Sequence, residues 1–405
     1  MKKEKNWKIC LIIETLLAIG YLGLDYLIST FNREEILKFR FLEILLLISL
    51  FLLVFYKKYQ ENKISRWFLV LTLPMLIQFS WGGWFQLALK YLPNIKILST
   101  IVFYSLYLVI LLPIIVLLAS KIKRTIPRLF IAFWFVITLF DDLTLWTLKT
   151  GNIIFNQINT SGLLSGLAFF ILGCLLSYIW GFRLNPNLKL KRTGNFSWTV
   201  FSVLIGYAII DIAWNDFGGA GDGLIGAFFK FSADPMKFTF LAFGQAAEAG
   251  ILEETLRFLN IIILLYAMKN RPKLQVPLTI LISSLLFGSM HITNFGWQAL
   301  APTIAQAASA FGAGLFLAIL YLYSGKLWLA MLEHFLVDYL IFVQTGGSSQ
   351  PASWSGDIND WATTIASVIV PLMLYIWVMF GNRRKVLNEN AQRLIMPERV
   401  FDGYK

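Results

Sequence analysis

The chain has 405 residues, of which 58% are hydrophobic and only 14% are charged, and its mean hydropathy is +0.68. A soluble domain carries about 25% charged residues, so lipid is expected to be the solvent for much of this chain. The net charge of +12 would fit nucleic-acid binding, but the basic residues lie in short loops between apolar runs. That distribution is typical of membrane topology and argues against a nucleic-acid partner.

Apolar runs long enough to cross a bilayer recur along the whole chain. A spanning helix needs about 20 mostly apolar residues. About twelve runs meet this requirement. They lie near 7–29, 40–56, 67–89, 97–119, 127–148, 163–182, 197–214, 238–267, 275–293, 300–323, 326–345 and 362–380. The sequence therefore predicts an all-α fold, a polytopic transmembrane bundle of about twelve helices.

Lysine and arginine are dense in alternate loops, which indicates the orientation of the bundle. The basic loops lie at 57–66, 121–128, 183–192, 269–273 and 383–385, whereas 294–299 and 346–361 are poor in these residues. Cytoplasmic loops carry the excess of Lys and Arg. We therefore expect a multi-pass protein of the cell membrane with both termini in the cytoplasm.

Ionisable residues crowd one predicted span, 238–267. Glu248, Glu253, Glu254 and Arg257 fall within ten positions of each other, and unpaired they would cost on the order of 10 kcal/mol in a bilayer. Glu253 and Arg257 are spaced i,i+4 and share a helix face, so they can pair. One arginine cannot neutralise three carboxylates, so at least one glutamate must be protonated, hydrated or bonded by donors from other helices. Such a carboxylate suits a general base or acid.

The chain has only two histidines, His291 and His334, and both fall inside predicted spans. Phe287 precedes His291 by four residues, and Asp338 follows His334 by four. Together with the glutamates of 238–267, the two histidines indicate a shared intramembrane site.

These residues form three short motifs in order along the chain: EETLR at 253–257, FGSMH at 287–291 and HFLVD at 334–338. The pattern resembles the CAAX protease and bacteriocin-processing (CPBP, or Abi) family of intramembrane proteases, whose signatures are EExxxR, FxxxH and HxxxN/D. The first motif here is one residue shorter, because Phe258 occupies the family's arginine position. The resemblance covers about 235–345. It divides the chain into N-terminal transmembrane helices of unassigned role (1–160), a CPBP-like core (161–382) and a cytoplasmic tail (383–405).

The resemblance implies a glutamate-dependent intramembrane endopeptidase that needs neither a metal nor another cofactor. Glu253 would be the general base that activates water, assisted by Glu254, and Arg257 would hold a glutamate by its charge. His291 would contact the water or the developing oxyanion, and His334 and Asp338 would complete the polar site. The substrate would be a peptide or a membrane protein, and a membrane-protein partner is a further expectation.

Three alternatives stand beside the protease. The first is a catalytically inactive CPBP-like scaffold or regulator of a cell-envelope enzyme, which the shifted arginine and the additional N-terminal helices would suit. The second is a transporter whose intramembrane carboxylates relay protons. The third is a zinc peptidase, although the sequence contains no HExxH motif.

Overall fold

The computed structural model describes residues 2–31, 44–46, 48–49, 51–52, 62–140, 149–189, 195–218, 223–345 and 356–396. Regular structure within these ranges is entirely helical, which confirms the predicted all-α class. The described chain divides into two compact units, Met1–Trp180 and Gly181–Lys405. Each unit is described separately below.

The N-terminal unit contains seven described α-helices and two 3₁₀ turns. The helices are α1 (Lys2–Phe31), α2 (Lys63–Tyr91), α3 (Lys96–Tyr107), α4 (Leu112–Leu117), α5 (Thr125–Phe140), α6 (Ile153–Thr160) and α7 (Leu163–Ile179). The turns are Pro93–Ile95 and Ala119–Lys121. Helices α1 and α2 cross where Gly83 lies against the ring of Tyr21, with no room for a larger side chain. Such close approach through small residues is common between membrane helices.

The C-terminal unit contains eight described α-helices. They are α8 (Trp198–Phe217), α9 (Gly223–Phe229), α10 (Phe240–Ala267), α11 (Pro272–Met290), α12 (Leu300–Ser324), α13 (Leu327–Thr345), α14 (Ile358–Val378) and α15 (Gly381–Ile395). A 3₁₀ turn, His291–Gly296, follows α11.

Eight of the described helical segments are long and apolar enough to cross a membrane, and the pair Ile153–Thr160 and Leu163–Ile179, bent by 55°, would make a ninth. Helix α10 is also long enough, but its ionisable residues set it apart from these eight. Most of the predicted span 40–56 lies outside the described residues. A polytopic membrane bundle is therefore confirmed, while the total of about twelve spans and the cytoplasmic termini remain predictions.

Helix α10 is the central element of the C-terminal unit. It begins after Thr239, whose hydroxyl accepts a hydrogen bond of 3.1 Å from the backbone N–H of Ala242. Every residue from Leu252 to Leu265 except Glu253 is buried. On its approach to α13, a Cβ added to Gly250 would lie 2.9 Å from the carbonyl oxygen of Met331. The glycine thus allows two helices that carry polar side chains to approach at backbone distance.

The last described helix, α15, packs against α12 within the C-terminal unit. Val386, Leu387, Ala391 and Leu394 are buried, and they recur with helical spacing. The side-chain amide of Asn390 donates hydrogen bonds of 2.9 and 3.0 Å to the carbonyl oxygens of Leu322 and Tyr323 at the end of α12. These carbonyls have no partner within their own helix, so α15 satisfies them.

Candidate active site

Three helices of the C-terminal unit supply the residues predicted for the site. Helix α10 carries Glu253, Glu254 and Arg257; His291 follows the last residue of α11; and α13 carries His334 and Asp338. The positions are far apart in sequence, so their meeting depends on helix packing. Five of the six lie in one network of polar contacts, and His291 joins it through an aromatic ring.

The buried centre of the network is an ion pair within α10. Arg257 donates two hydrogen bonds to Glu254, from Nε to Oε2 at 2.8 Å and from Nη2 to Oε1 at 2.9 Å. Both side chains are at most 1% exposed. The i,i+4 spacing suggested a pair between Arg257 and Glu253, but the arginine instead engages Glu254 at i,i+3, which lies on the same helix face. Two parallel hydrogen bonds fix the planar guanidinium and carboxylate groups relative to each other.

His334 links this pair to α13. Its Nδ1 atom lies 2.9 Å from Oε1 of Glu254, the same oxygen that accepts from Arg257. Because a carboxylate can only accept, we infer that Nδ1 carries a proton. The other ring nitrogen, Nε2, lies 3.7 Å from Oε2 of Glu253 and 3.5 Å from Oδ2 of Asp338. Glu254 therefore orients the ring so that Nε2 points between two further carboxylates.

Exposure separates the residues that fix the site from those that can meet a ligand. The side chains of Glu253 and Asp338 are each 24% exposed, whereas that of Glu254 is fully buried. The Oε2 atom of Glu253 is itself buried and accepts no hydrogen bond from any described residue, although it lies 3.7 Å from Nε2 of His334. The partly open side of the site therefore presents Glu253, His334 and Asp338.

Phe287 of α11 connects the two histidines. The guanidinium carbon of Arg257 lies 3.8 Å from the centre of its ring, within the range of a cation–π contact. The same ring lies edge-on to His334, with centroids 6.1 Å apart, and to His291, with centroids 5.1 Å apart. The Nδ1 atom of His291 also lies 3.1 Å from the carbonyl oxygen of Phe287. In the described structure, His291 thus reaches the site through Phe287 and not through a carboxylate.

Additional acids surround this network. Glu248 is buried in α10 and interacts electrostatically with Glu253, Asp338 and His334. The buried Glu333 of α13 interacts electrostatically with Asp211 of α8. Asp216 of α8 interacts electrostatically with Asp338 and Asp211.

The acids of α8 were not among the predicted site residues. Asp211 and Asp216 lie within and just after a predicted apolar span, and their rarity in such a setting was the signal that could have identified them. Among the described residues, no group of three or more His, Cys, Asp or Glu side chains is arranged to hold a metal ion. Metal independence remains a prediction.

Comparison with known proteins gives one match. Residues 235–340 match a family model described as type II CAAX prenyl endopeptidase Rce1-like. No curated protein and no solved structure is significantly similar to the chain. The matched residues include all three motifs and every residue of the network, from Glu253 to Asp338. Residues 235–340 are therefore similar to the Rce1-like proteins of the CPBP family, in agreement with the resemblance of the three motifs.

Proposed function

We propose that this protein is a glutamate-dependent intramembrane endopeptidase that acts on a peptide or a membrane protein. One observation carries the proposal: Glu253, partly exposed and with an unbonded Oε2 atom, faces an imidazole that a buried Glu254–Arg257 pair holds in place. A positioned base beside a positioned donor is what amide hydrolysis requires.

In the proposed reaction, Glu253 takes a proton from a water molecule as the water oxygen forms a bond to the carbonyl carbon of the substrate. The carbonyl oxygen becomes an oxyanion, and Nε2 of His334 donates a hydrogen bond to it. Glu253 then returns the proton to the amide nitrogen as the C–N bond breaks, which gives a carboxylic acid and an amine. A single group thus serves first as base and then as acid.

The oxyanion role requires a proton on Nε2 as well as on Nδ1 of His334. Carboxylates of three residues lie 2.9, 3.5 and 3.7 Å from the two ring nitrogens. Their negative charge stabilises an imidazolium in a site of low dielectric. In the proposal, Asp338 and Glu254 hold this cation, and two hydrogen bonds from Arg257 fix the carboxylate of Glu254.

His291 has a supporting part in the proposal. Its ring is partly exposed and lies against Phe287, next to His334 across the same aromatic ring. From there it would contact the attacking water or the far side of the oxyanion. Its imidazole needs no carboxylate for this, since a neutral ring can donate or accept one hydrogen bond.

The proposal places the enzyme in the cell membrane with both termini in the cytoplasm. Residues 161–382 would form the catalytic core, 1–160 would be additional transmembrane helices and 383–405 a cytoplasmic tail. The Rce1-like match describes prenyl endopeptidases, so prenylated C-terminal peptides are a first class of substrate to test. No metal or cofactor takes part in the proposed steps.

A scaffold or regulator without catalysis is the second candidate, and the position of the arginine favours it. The family motif places its arginine where this chain has Phe258, so the pairing of Arg257 with Glu254 depends on a spacing that departs from the motif. Under this reading, Glu253 would have no chemical role and a partner protein would co-purify with the chain.

The deciding experiment is a cleavage assay on the full chain, purified and reconstituted in nanodiscs. A mixture of apolar peptides, with and without a prenylated C-terminal cysteine, is incubated with the protein and the products are identified by mass spectrometry. We expect cleavage by the wild type and none by Glu253→Gln, with equal thermal stability. Glu14→Gln is the matched control, because Glu14 is a glutamate of α1 outside the site, and it should cleave normally. Equal product patterns from wild type and Glu253→Gln would reject the protease.

A further inference from the structure

The two ends of the C-terminal unit differ in charge. Helices α10 to α14 run in alternating directions, so the last residues of α10, α12 and α14 lie at one end and those of α11 and α13 at the other. The connections at the first end, which we call the basic end, carry the Lys and Arg residues at 269–273, 326 and 383–385. The connections at the other end, 291–299 and 346–357, contain neither Lys nor Arg, although Lys230 and Lys237, which precede α10, also lie there. By this distribution of positive charge, the basic end is the cytoplasmic one.

The half of the unit next to the basic end is closely packed. Each residue of α10 from 254 to 265 is buried. Gly314 of α12 lies at the level of Arg257, since a Cβ added to the glycine would be 3.2 Å from Nη1 of the arginine. Each residue from 314 to 325, at the basic end of α12, is buried as well. These two buried segments lie between Glu253 and the basic end.

The half of the unit on the other side of the site is partly open. Each residue of α13 from 334 to 342 is partly exposed. In α10, partly exposed residues recur at every fourth position and therefore share one face of the helix, namely Leu241, Gln245, Ala249 and Glu253. This face runs from the proposed base to the start of α10, away from the basic end.

The exposed acids of the site require water. Glu253 lies at the middle of the 28 residues of α10, and its side chain, like that of Asp338, is 24% exposed. Ionisable groups at this depth of a bilayer face the bundle interior or a water-filled cavity. Asp338 lies one helical turn beyond His334 in the direction away from the basic end, and the partly exposed His291 follows α11 at the opposite end. The exposed polar side chains therefore lead from Glu253 away from the basic end.

We infer that water and substrate reach Glu253 from the extracytoplasmic side of the membrane. The substrates of the proposed endopeptidase are therefore exported peptides or membrane-protein segments in the outer half of the bilayer, and a prenylated peptide would have to be presented from the same side. A cytoplasmic substrate would instead have to pass the buried segments of α10 and α12. The inference rests on the proposed function for the reaction and on the charge of the two ends for the orientation.

The test measures from which side of the membrane a thiol at the site can be modified. Cys10→Ser and Cys174→Ala remove the native thiols, and Glu253→Cys or Asp338→Cys then places one thiol at the site. Right-side-out and inside-out membrane vesicles are treated with a membrane-impermeant methanethiosulfonate that carries a quaternary ammonium group, and the remaining thiols are measured in detergent with a fluorescent maleimide. We expect the reagent to block both site thiols in right-side-out vesicles and to leave them unmodified in inside-out vesicles.

Two reporter positions outside the site establish the orientation of the chain. Trp297→Cys replaces a residue that is 94% exposed at the end opposite the basic end, and Lys273→Cys replaces an exposed residue at the basic end. The first should react only in right-side-out vesicles and the second only in inside-out vesicles. Site thiols that react from the Lys273 side, from both sides or from neither would overturn the inference, and so would reporters that react in the reverse pattern. Gel filtration checks the fold of each variant, and Asp338→Cys carries the test if Glu253→Cys does not fold.

Cleavage is measured separately on the wild type. A charged fluorogenic peptide that cannot cross the membrane, with a sequence that is cleaved in nanodiscs, should be cleaved by right-side-out vesicles and not by inside-out vesicles. Cleavage by inside-out vesicles alone would overturn the inference and leave the proposed function intact. Site thiols that react from the outside in a chain that cleaves no peptide would reject the proposed function alone, so the two failures are distinguishable.

Discussion

Glu254 of α10 and His334 of α13 are joined by a contact of 2.9 Å between Oε1 and Nδ1, and the same carboxylate holds Arg257 through both of its oxygens. A single buried residue thus sets the orientation of the histidine and the arginine. The more exposed Glu253, its neighbour in sequence, takes no part in the pair with Arg257 and is the base of the proposed reaction.

Replacing Glu254 should therefore damage both fold and activity. Glu254→Gln removes the charge that compensates Arg257 and leaves a buried cation unpaired, which typically costs about 3–5 kcal/mol. We expect a clearly lower melting temperature in detergent and loss of peptide cleavage. The double variant Glu254→Gln/Arg257→Gln should regain much of the stability without regaining activity. A Glu254→Gln protein that melts and cleaves like the wild type would contradict this view of the pair.

The register of the arginine can be tested by exchanging two neighbouring residues. Arg257→Phe/Phe258→Arg restores the spacing of the family motif. Phe258 is 1% exposed and packs edge-on against Tyr321 at 6.2 Å. An arginine there would share the helix face of Glu254, four residues before it, but it would replace this buried aromatic contact with a charge beside Tyr321. We expect an unstable, inactive protein.

Arg257→Lys is the milder companion variant. It keeps the charge but loses the two parallel hydrogen bonds, so it should retain the fold and part of the activity. If the exchanged protein were instead more active than the wild type, the shifted arginine would be a defect of this site.

Phe287 should contribute to activity through its ring. Phe287→Leu keeps an apolar side chain but removes the cation–π contact with Arg257, worth about 0.5–2 kcal/mol, and the surface on which both imidazoles rest. We expect a severalfold or greater fall in kcat with little change in KM, measured on one defined peptide. Phe295→Leu, at an exposed position in the following 3₁₀ turn, is the control and should behave like the wild type. Equal values of kcat and KM for the two variants would show that the ring of Phe287 does not contribute to activity.

The close approach of α10 and α13 should depend on Gly250. In Gly250→Ala, the new methyl group would lie 2.9 Å from the carbonyl oxygen of Met331 and 3.1 Å from the backbone nitrogen of Phe335, which is too close without helix movement. We expect lower thermal stability and reduced cleavage. Gly206→Ala in α8 is the matched control, since no atom beyond the adjacent backbone of its own helix lies within 4 Å of the added methyl group, and it should be neutral or slightly stabilising. If Gly250→Ala kept the thermal stability and cleavage rate of the wild type, the two helices could move apart without loss of stability.

Chelators separate the proposed mechanism from a zinc peptidase. Because the proposed base and donors are protein side chains, EDTA and phenanthroline should leave kcat/KM unchanged. The measurement is the cleavage rate of a defined peptide before and after dialysis against each chelator. If a chelator abolished cleavage and added zinc restored it, a bound metal ion and not Glu253 would activate the water.

Much of the site was predictable from the sequence because its residues are rare where they occur. Two histidines and a group of glutamates in apolar helices have few explanations, and their spacing selected the family. The choice of glutamate by Arg257 was not predictable, since i+3 and i+4 neighbours share one helix face. The choice between the two glutamates depends on packing with other helices. Gly314 of α12 leaves space for the guanidinium group of Arg257, since a Cβ added at Gly314 would lie 3.2 Å from its Nη1 atom.

The acids of α8 and the burial of α15 were missed for a related reason. The interactions of these polar residues are with other helices. Asp211 interacts with Glu333, Asp216 with Asp338, and Asn390 with the end of α12. No periodic pattern within one helix shows such partners. Predicted spans, in contrast, depend only on local length and hydropathy, which is why α8 and α11 to α14 lie close to their predicted ranges.

The hydrogen bonds from Asn390 to the end of α12 have a practical meaning for engineering. The family match stops at 340, but the carbonyls of Leu322 and Tyr323, inside the matched stretch, accept hydrogen bonds from Asn390, which lies 68 and 67 positions further along the chain. A shortened protein built to the limits of the match would expose those carbonyls and the apolar surface beneath Val386 and Leu394. The smallest piece able to fold around the three motifs therefore extends through Ile395, and affinity tags belong beyond it.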